Sequence, residues 1–297
     1  MDTYHISVLL QEAVDALKVK PGKKYIDGTL GGGGHTGAIL ERGGEVLGID
    51  FDEEALEYVG EKLKVKSSKF KVGEDLVLAR GNFKDIDVIA KEKGFKNVSG
   101  IILDLGVSSH HFDTAERGFS FQKEGPLDMR MDQSLHVKAA DLINILTRGE
   151  MYELFTKLGE EWGARPIIES IIRARQIKPI ETTGELAEII SRGKQRHKSE
   201  SNPATRIFQA LRIAVNDELN NLREVLPKAV ALLAPGGRLA IISFHSLEDR
   251  IVKHTFKQFE DDGLGKIITK KPVVPGEEEI ERNKRARSAK LRVFEKL

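Results

Sequence analysis

Tyr25-Ile26-Asp27-Gly28-Thr29-Leu30-Gly31-Gly32-Gly33-Gly34-His35-Thr36-Gly37 is the stretch on which the fold turns. A short run, Lys24–Asp27, ends in an acid and gives way at once to glycines. That is the pattern of a strand entering a turn and then a helix. Four consecutive glycines exceed what a turn requires; they permit positive φ and let a ligand approach the backbone. The helix start beyond them offers free N–H groups and a partial positive charge. Gly32, Gly34 and Gly37 also satisfy G-x-G-x-x-G, which keeps a dinucleotide in view. A phosphate-gripping loop does not fit: Gly34-His35-Thr36 stands where Gly-Lys-Thr is needed, and residues 27–40 hold no Lys or Arg. Asp50 closes the next strand, where an acid takes ribose hydroxyls in nucleoside-binding α/β folds. Phe83, after a third strand, suits an adenine face. A nucleoside cofactor is therefore expected, without phosphate as an evident part of it.

Outward from the loop, strand and helix signals alternate. Glu45–Asp50, Val77–Ala79 and Gly100–Leu105 read as further strands, and Glu53–Leu63 and Phe83–Lys93 as helices between them. This rhythm predicts a parallel sheet with crossover helices, which binds ligands at the carboxyl ends of its strands. From about His110 to Val215 no convincing strand appears, and helical spacing dominates at Ala139–Leu146, Met151–Leu158, Arg165–Gln176 and Thr183–Arg192. The rhythm returns with a helix over Asp217–Leu233, a strand over Arg238–Phe244 and a helix over Leu247–Phe259. A closing strand is expected at Leu291–Phe294. The expected architecture is an α/β, Rossmann-like sheet with a helical domain inserted after the fourth strand. Residues 1–109 and 216–297 form one domain, and 110–215 the insertion.

Composition narrows the function. The 297 residues are 40% hydrophobic and 31% charged, a core-forming balance that excludes disorder. No apolar stretch approaches the roughly 18 residues of a membrane span, and no basic-then-apolar segment opens the chain, so a cytoplasmic protein is expected. There is no cysteine, which excludes disulfides, thiol catalysis and Cys-type metal sites. The net charge of +1 taken as an average argues against nucleic acid. The average conceals two basic segments: residues 165–212 and 263–297 each carry ten basic and five acidic side chains, leaving −9 on the rest. Within them, Arg192–Lys198 puts four cations into seven residues, including Arg196 and Lys198, and Arg282–Arg292 puts six into eleven. Both runs would neutralise phosphates without reading sequence.

The fourth strand ends in Asp104-Leu105-Gly106-Val107-Ser108-Ser109, an acid, a flexible turn and two hydroxyls facing whatever the cofactor reacts with. IDGTLGGGG and this motif are similar to the paired loops of amino-group methyltransferases that use S-adenosylmethionine. Longer strings resemble the bacterial ribosomal RNA small-subunit methyltransferase H family (RsmH, also called MraW). They are HISVLLQEAV at 5–14, YIDGTLGGGGHTG at 25–37, DLGVSSHHFDTAERGFSF at 104–121, GPLDMRMD at 125–132, NPATRIFQALRIAVNDEL at 202–219 and APGGRLAIISFHSLEDRIVK at 234–253. The resemblance spans essentially the whole chain. It implies N4-methylation of a cytidine in the decoding centre of small-subunit (16S) ribosomal RNA, with S-adenosylmethionine as cofactor and an assembled or assembling subunit as partner. It implies cofactor contacts at Gly33, Gly34, His35, Asp50, Phe83, Asp104 and His111; other members can carry Gln at the position of His111, so this contact depends on pH and tautomer.

The residues agree with that chemistry. Cytosine N4 is a poor nucleophile because its lone pair is delocalised, so an acceptor for its N–H is needed, and Asp104 is the natural catalytic candidate. Asp104 lies against the cofactor, the base, or both. Ser108, Ser109, His245, Arg196 and Lys198 are candidate substrate contacts, with Ser246 reading as the N-cap of the helix that follows. Asp128, Arg130 and Asp132 read as an ion-paired loop, and no metal is expected. Phe112, Phe119 and Phe121 suit either RNA stacking or a core. Two other functions stay open at this point: a nicotinamide-dependent oxidoreductase using residues 32–37, and a non-catalytic RNA-binding or assembly factor.

Overall fold

The computed structural model describes residues 7–66, 71–106, 112–193 and 203–297. The chain divides into two units, Met1–Ser108 with Leu219–Leu297, and Ser109–Glu218. The first is built on a seven-stranded sheet: β1 Lys24–Asp27, β2 Glu45–Asp50, β3 Leu76–Arg80, β4 Val98–Asp104, β5 Leu233–Ser243, β6 Gly265–Ile267 and β7 Lys290–Lys296. Their order is β3-β2-β1-β4-β5-β7-β6. β1 to β5 pair in parallel, and β7 runs antiparallel between β5 and β6.

Period-two alternation sorts the strand side chains onto two buried faces. Ile26, Leu47, Ile49, Ile101, Leu103 and Ile241 face one core; Tyr25, Val46, Ile102, Ala240 and Ile242 face the other. Helices cover both. α1 Leu10–Ala16, α2 Gly34–Glu41 and α3 Glu53–Lys66 bring Val14, Ile39 and Val59 to the second core. α4 Ile86–Glu92, and two later helices introduced below, bring Ile86, Val225 and Phe256 to the first.

The second unit holds α5 Ala139–Ile145, α6 Arg148–Lys157, α7 Ala164–Ile177, α8 Thr183–Gly193 and α9 Pro203–Asn216, with no strand among its described residues. Ile167, Ile168 and Ile171, like Ile207, Phe208 and Leu211, recur at helical spacing and are buried. The chain then re-enters the sheet through α10 Glu218–Leu232, and α11 Ser246–Asp261 follows β5. Among the described residues no helix is long and apolar enough to cross a membrane.

Several boundaries differ from those expected. Phe83–Lys93 is a 3₁₀ turn, Phe83–Asp85, before α4, because the Asn82 side chain accepts the Lys84 N–H and tightens the entry. α1 was not foreseen: it starts behind Leu9 in a left-handed conformation without a side-chain cap, so it gives no start signal. β5 begins at Leu233 rather than Arg238, and its register against β4 shifts between Val98 and Gly100 to absorb the Pro-Gly-Gly.

Candidate active site

The strand order reverses between β1 and β4, and in open α/β sheets the ligand crevice lies at the carboxyl edge of such a point. β1 delivers Asp27 there, and Gly28 stays on β4 by donating its N–H to Ile102 O at 3.0 Å. A Cβ on Gly28 would lie 2.5 Å from Leu103 Cδ2, which would have to shift, and in ordinary contact, 3.5 Å, with Phe83 Cβ. Gly33 takes φ +70° as the N-cap of α2, and a Cβ on Gly34 would lie 2.0 Å from Ser7 Oγ.

Three carboxylates hold this cradle. Asp27 accepts Thr36 Oγ1–H at 2.7 Å and Thr29 N–H at 3.2 Å. Asp50 accepts Gly31 N–H at 2.9 Å and Asp52 N–H at 3.0 Å, while Asp52 accepts Glu54 N–H at the start of α3. Asp50 thus takes one bond on each oxygen and fixes the glycine loop, and Asp52 caps the helix. Asp104 is fixed from its backbone: its N–H donates to Thr29 Oγ1 at 2.6 Å. Its carboxylate is buried, with Oδ2 3.9 Å from His35 Nδ1 and Oδ1 accepting no hydrogen bond. His35 is oriented by Val8 O, 3.2 Å from its Nε2. A carbonyl only accepts, so Nε2 carries the proton there.

Burial sets the electrostatics. Desolvation raises Asp27 and Asp50 to about 6, against their hydrogen bonds. Asp104 rises to about 7, first through desolvation and then through the charges of Asp27 and Glu248, the Gly106 N–H opposing. A carboxyl that changes charge near neutrality, buried and with a spare oxygen, is a candidate acid or base.

The motif after β5 meets the same edge. Gly106 leaves room for Phe244, whose Cε2 would lie 2.7 Å from a Cβ at that position. His245, not Ser246, is the N-cap of α11: its Nδ1 accepts Glu248 N–H at 3.4 Å, and Glu248 Oε2 accepts the N–H groups of Phe244 and His245. The imidazole outcompetes the hydroxyl because Glu248 completes a reciprocal capping box one residue earlier. His245 Nε2 is buried, 3.2 Å from Glu248 Oε1, without hydrogen-bond geometry.

Gly33, Gly34, His35, Asp50, Phe83 and Asp104 therefore come to one sheet edge together. Ser108, Ser109, His111, Arg196 and Lys198 lie outside the described residues. In the second unit Arg130 grips Asp128 with two bonds, of 2.7 and 2.8 Å, as the ion-paired reading expected. Phe119 is buried edge-on to Phe112, which makes it a core residue, while Phe121, half-buried, packs on Phe208. The sequence reading missed Asp27, Thr29 and Thr36. Acid and hydroxyls are adjacent there in sequence, but nothing local shows that they close on one another and on β4.

The chain matches the MraW methylase family over residues 2–297. It is 47% identical to a ribosomal RNA small subunit methyltransferase H from Desulfotalea psychrophila, across 99% of this chain and 98% of that protein. A protein of the same name from Halothermothrix orenii is also 47% identical, with the same shares covered. Among solved structures, an rRNA methylase from Streptococcus thermophilus aligns at a TM-score of 0.47 with 14% identity, over 98% of each chain.

Proposed function

The chain belongs to the MraW methylase family, and from that premise we propose that it methylates N4 of a cytidine in the decoding centre of bacterial small-subunit (16S) ribosomal RNA. It is an rRNA methyltransferase dependent on S-adenosylmethionine. The residues at the sheet edge fit that cofactor. The glycine cradle turns with Gly33 at φ +70°, its acids suit ribose hydroxyls and a cation, and no Lys or Arg in residues 27–40 awaits a phosphate. Gly33, Gly34, His35, Asp50, Phe83 and Asp104 would hold it, with His111. The cofactor supplies an electrophilic methyl group on a sulfonium.

What remains for the protein is to position an amine and improve it as a nucleophile. Asp104 Oδ1, buried and accepting no hydrogen bond, carries this reading. A carboxylate there accepts an N4–H, draws the amine out of conjugation and takes up the proton, while Oδ2 stays toward His35. Its elevated pKa suits a group that must bind and release a proton near neutral pH. Ser108 and Ser109 contact the base, Arg196 and Lys198 contact phosphate, and residues 110–215 serve as an inserted RNA-recognition domain; His245, with both ring nitrogens turned to Glu248, caps α11 instead of reaching the base. The work is done in the cytoplasm, on an assembled or assembling subunit.

The test is direct. Small subunits from a strain lacking this activity are incubated with the protein and radiolabelled methyl donor, and their RNA is digested to nucleosides. Labelled N4-methylcytidine is expected. Its absence from the digest sinks the assignment.

A further inference from the structure

The peptide group between Val8 and Leu9 is bonded at both ends. Its carbonyl, Val8 O, lies 3.2 Å from His35 Nε2, and its N–H, on Leu9, donates to Glu279 Oε1 at 2.7 Å. This peptide is trans. A trans peptide is planar, with C=O and N–H pointing in opposite directions, so neither end turns without the other.

Left to itself, the plane would turn over. Leu9 stands at φ 51°, ψ 37°, a left-handed conformation that is unfavourable for an L-residue. A flip changes ψ of Val8 and φ of Leu9 together and takes Leu9 to negative φ, so backbone strain favours the flipped form. The side chains of Val8 and Leu9 are buried in the sheet's second core, which also holds Ala286 and Ala289. That burial fixes the two Cα positions but not the plane between them. Glu279 fixes the plane. It is half-buried on the short helix Glu277–Arg282, where its N–H donates to Gly276 O at 3.1 Å and its carbonyl accepts the Asn283 N–H at 2.7 Å. A carboxylate binds a backbone N–H more strongly than a neutral acceptor does.

The other end of the plane decides a tautomer. With the carbonyl facing it, His35 carries a proton on Nε2 and turns Nδ1 toward Asp104 Oδ2, 3.9 Å away. With the plane reversed, an N–H would face Nε2, which would have to accept. A neutral ring would then carry its proton on Nδ1, beside the carboxylate on which the amine depends. We propose that Glu279 is a positioning residue for methyl transfer: through the Val8–Leu9 peptide it holds His35 as the Nε2–H tautomer and keeps the ring proton away from Asp104. Ser7, on the same arm, lies against Gly34, so the arm also bears on the cofactor cradle. The consequence for catalysis rests on the reading of Asp104 as the amine's acceptor; the tautomer does not.

The test compares the full-length protein with Glu279→Gln, which keeps an acceptor, and Glu279→Ala, which removes it. Glu277→Ala, at an exposed position on the same helix, is the control. Histidine is isotope-labelled, ring tautomers are read from long-range nitrogen–proton NMR spectra at about pH 8, where an ordinary imidazole is neutral, and the His35 signal is assigned by its loss in His35→Asn. Wild type, Glu279→Gln and Glu277→Ala should show the Nε2–H form, and Glu279→Ala the Nδ1–H form or an average of the two. On small subunits Glu279→Ala should lower kcat about tenfold and weaken methyl-donor binding about threefold to tenfold, with Glu279→Gln and the control close to wild type. A lower melting temperature in Glu279→Ala with wild-type tautomer and kcat would make the residue merely structural and overturn the proposal. Equal losses in Glu279→Gln and Glu279→Ala would overturn it too, since the bond to Leu9 N–H would not be the link. Should Glu279→Ala fold poorly, Glu279→Asp, whose carboxylate falls one methylene short, should change the tautomer in the same way, and an unchanged ring refutes the link. A tautomer change without any N4-methylcytidine from the wild-type protein would refute the methyl-transfer reading and leave the link standing. Product from the wild type with an unchanged tautomer in Glu279→Ala would do the reverse.

Discussion

In the proposed reaction Asp104 works only if its carboxylate stands where the amine arrives, and that depends on a neighbour with no acid–base chemistry of its own. β1 leaves the sheet at Gly28, so the Asp104 N–H has no further backbone carbonyl to meet; Thr29 Oγ1 takes it at 2.6 Å, and Asp27 holds Thr29 in turn. Thr29→Val keeps the shape and leaves a buried N–H unpaired, at a cost of about 1–3 kcal/mol. It should lower kcat at least tenfold while methyl-donor Kd stays within about threefold, and Thr29→Ser should restore most of the loss. Loss in Ser with none in Val would show that volume, not the hydroxyl, is what matters. Asp104→Asn removes the negative charge and the group that takes up the proton, and should lower kcat by about 10²–10⁴. In the wild-type protein kcat should rise with pH through about 7 and level off, as the acid ionises. A flat profile between about pH 5.5 and 8.5 would take the proton-accepting role from this residue.

At the scale of elements, the glycine loop is the hinge between β1 and α2. Gly33 sits at φ +70° with Val59 of α3 2.8–2.9 Å from where a Cβ would be, so Gly33→Ala meets two obstacles at once. Left-handed backbone costs an L-residue about 1–2 kcal/mol, and the contact adds to it. The variant should melt several degrees lower and bind methyl donor more weakly. Adding Val59→Ala should relieve the contact and recover part of the donor affinity, though not the backbone term. Full recovery would mean that conformation plays no part. This loop was legible because its signals are local: an apolar run, an acid and glycines in unbroken order. The four strands before residue 105 were legible for the same reason. α1, β6 and the cap at His245 were not, since each is decided by a partner distant in sequence or by a reciprocal bond. Leu9, which precedes α1, gives its N–H to Glu279, 270 residues away. The three-residue β6 exists only because β7 lies beside it.

For the whole molecule, three acids buried at one sheet edge are a liability when ionised. Asp27 and Asp50 stand at about 6 and Asp104 at about 7, each raised above its value in an unfolded chain chiefly by desolvation. A raised acid binds its proton more tightly in the folded state. Its contribution to stability is therefore complete below about pH 4 and is lost as pH climbs through 6 to 7. Asp128, Asp249 and Glu295 act in the opposite sense. Burial opposes ionisation at Asp128 and Asp249 but is outweighed by Arg130 at the first and by Arg292 and Lys290 at the second. Lys266 and Arg238 hold Glu295 down. Their contribution is present above about pH 4 and lost in acid. The net curve mixes the two groups, but a difference between variants isolates one of them. Asp104→Asn deletes the charge with the highest pKa of the edge and keeps the size of the side chain. It should melt a few degrees above the wild-type protein at pH 8, with the gap closing toward pH 4, where Asp104 is neutral in both states. That ordering, measured by thermal melts without ligand, makes the acid a group kept for its chemistry at the expense of stability. A variant less stable than wild type at pH 8 would mean that ionised Asp104 is held by favourable contacts, and its place as the base's acceptor would fall with that.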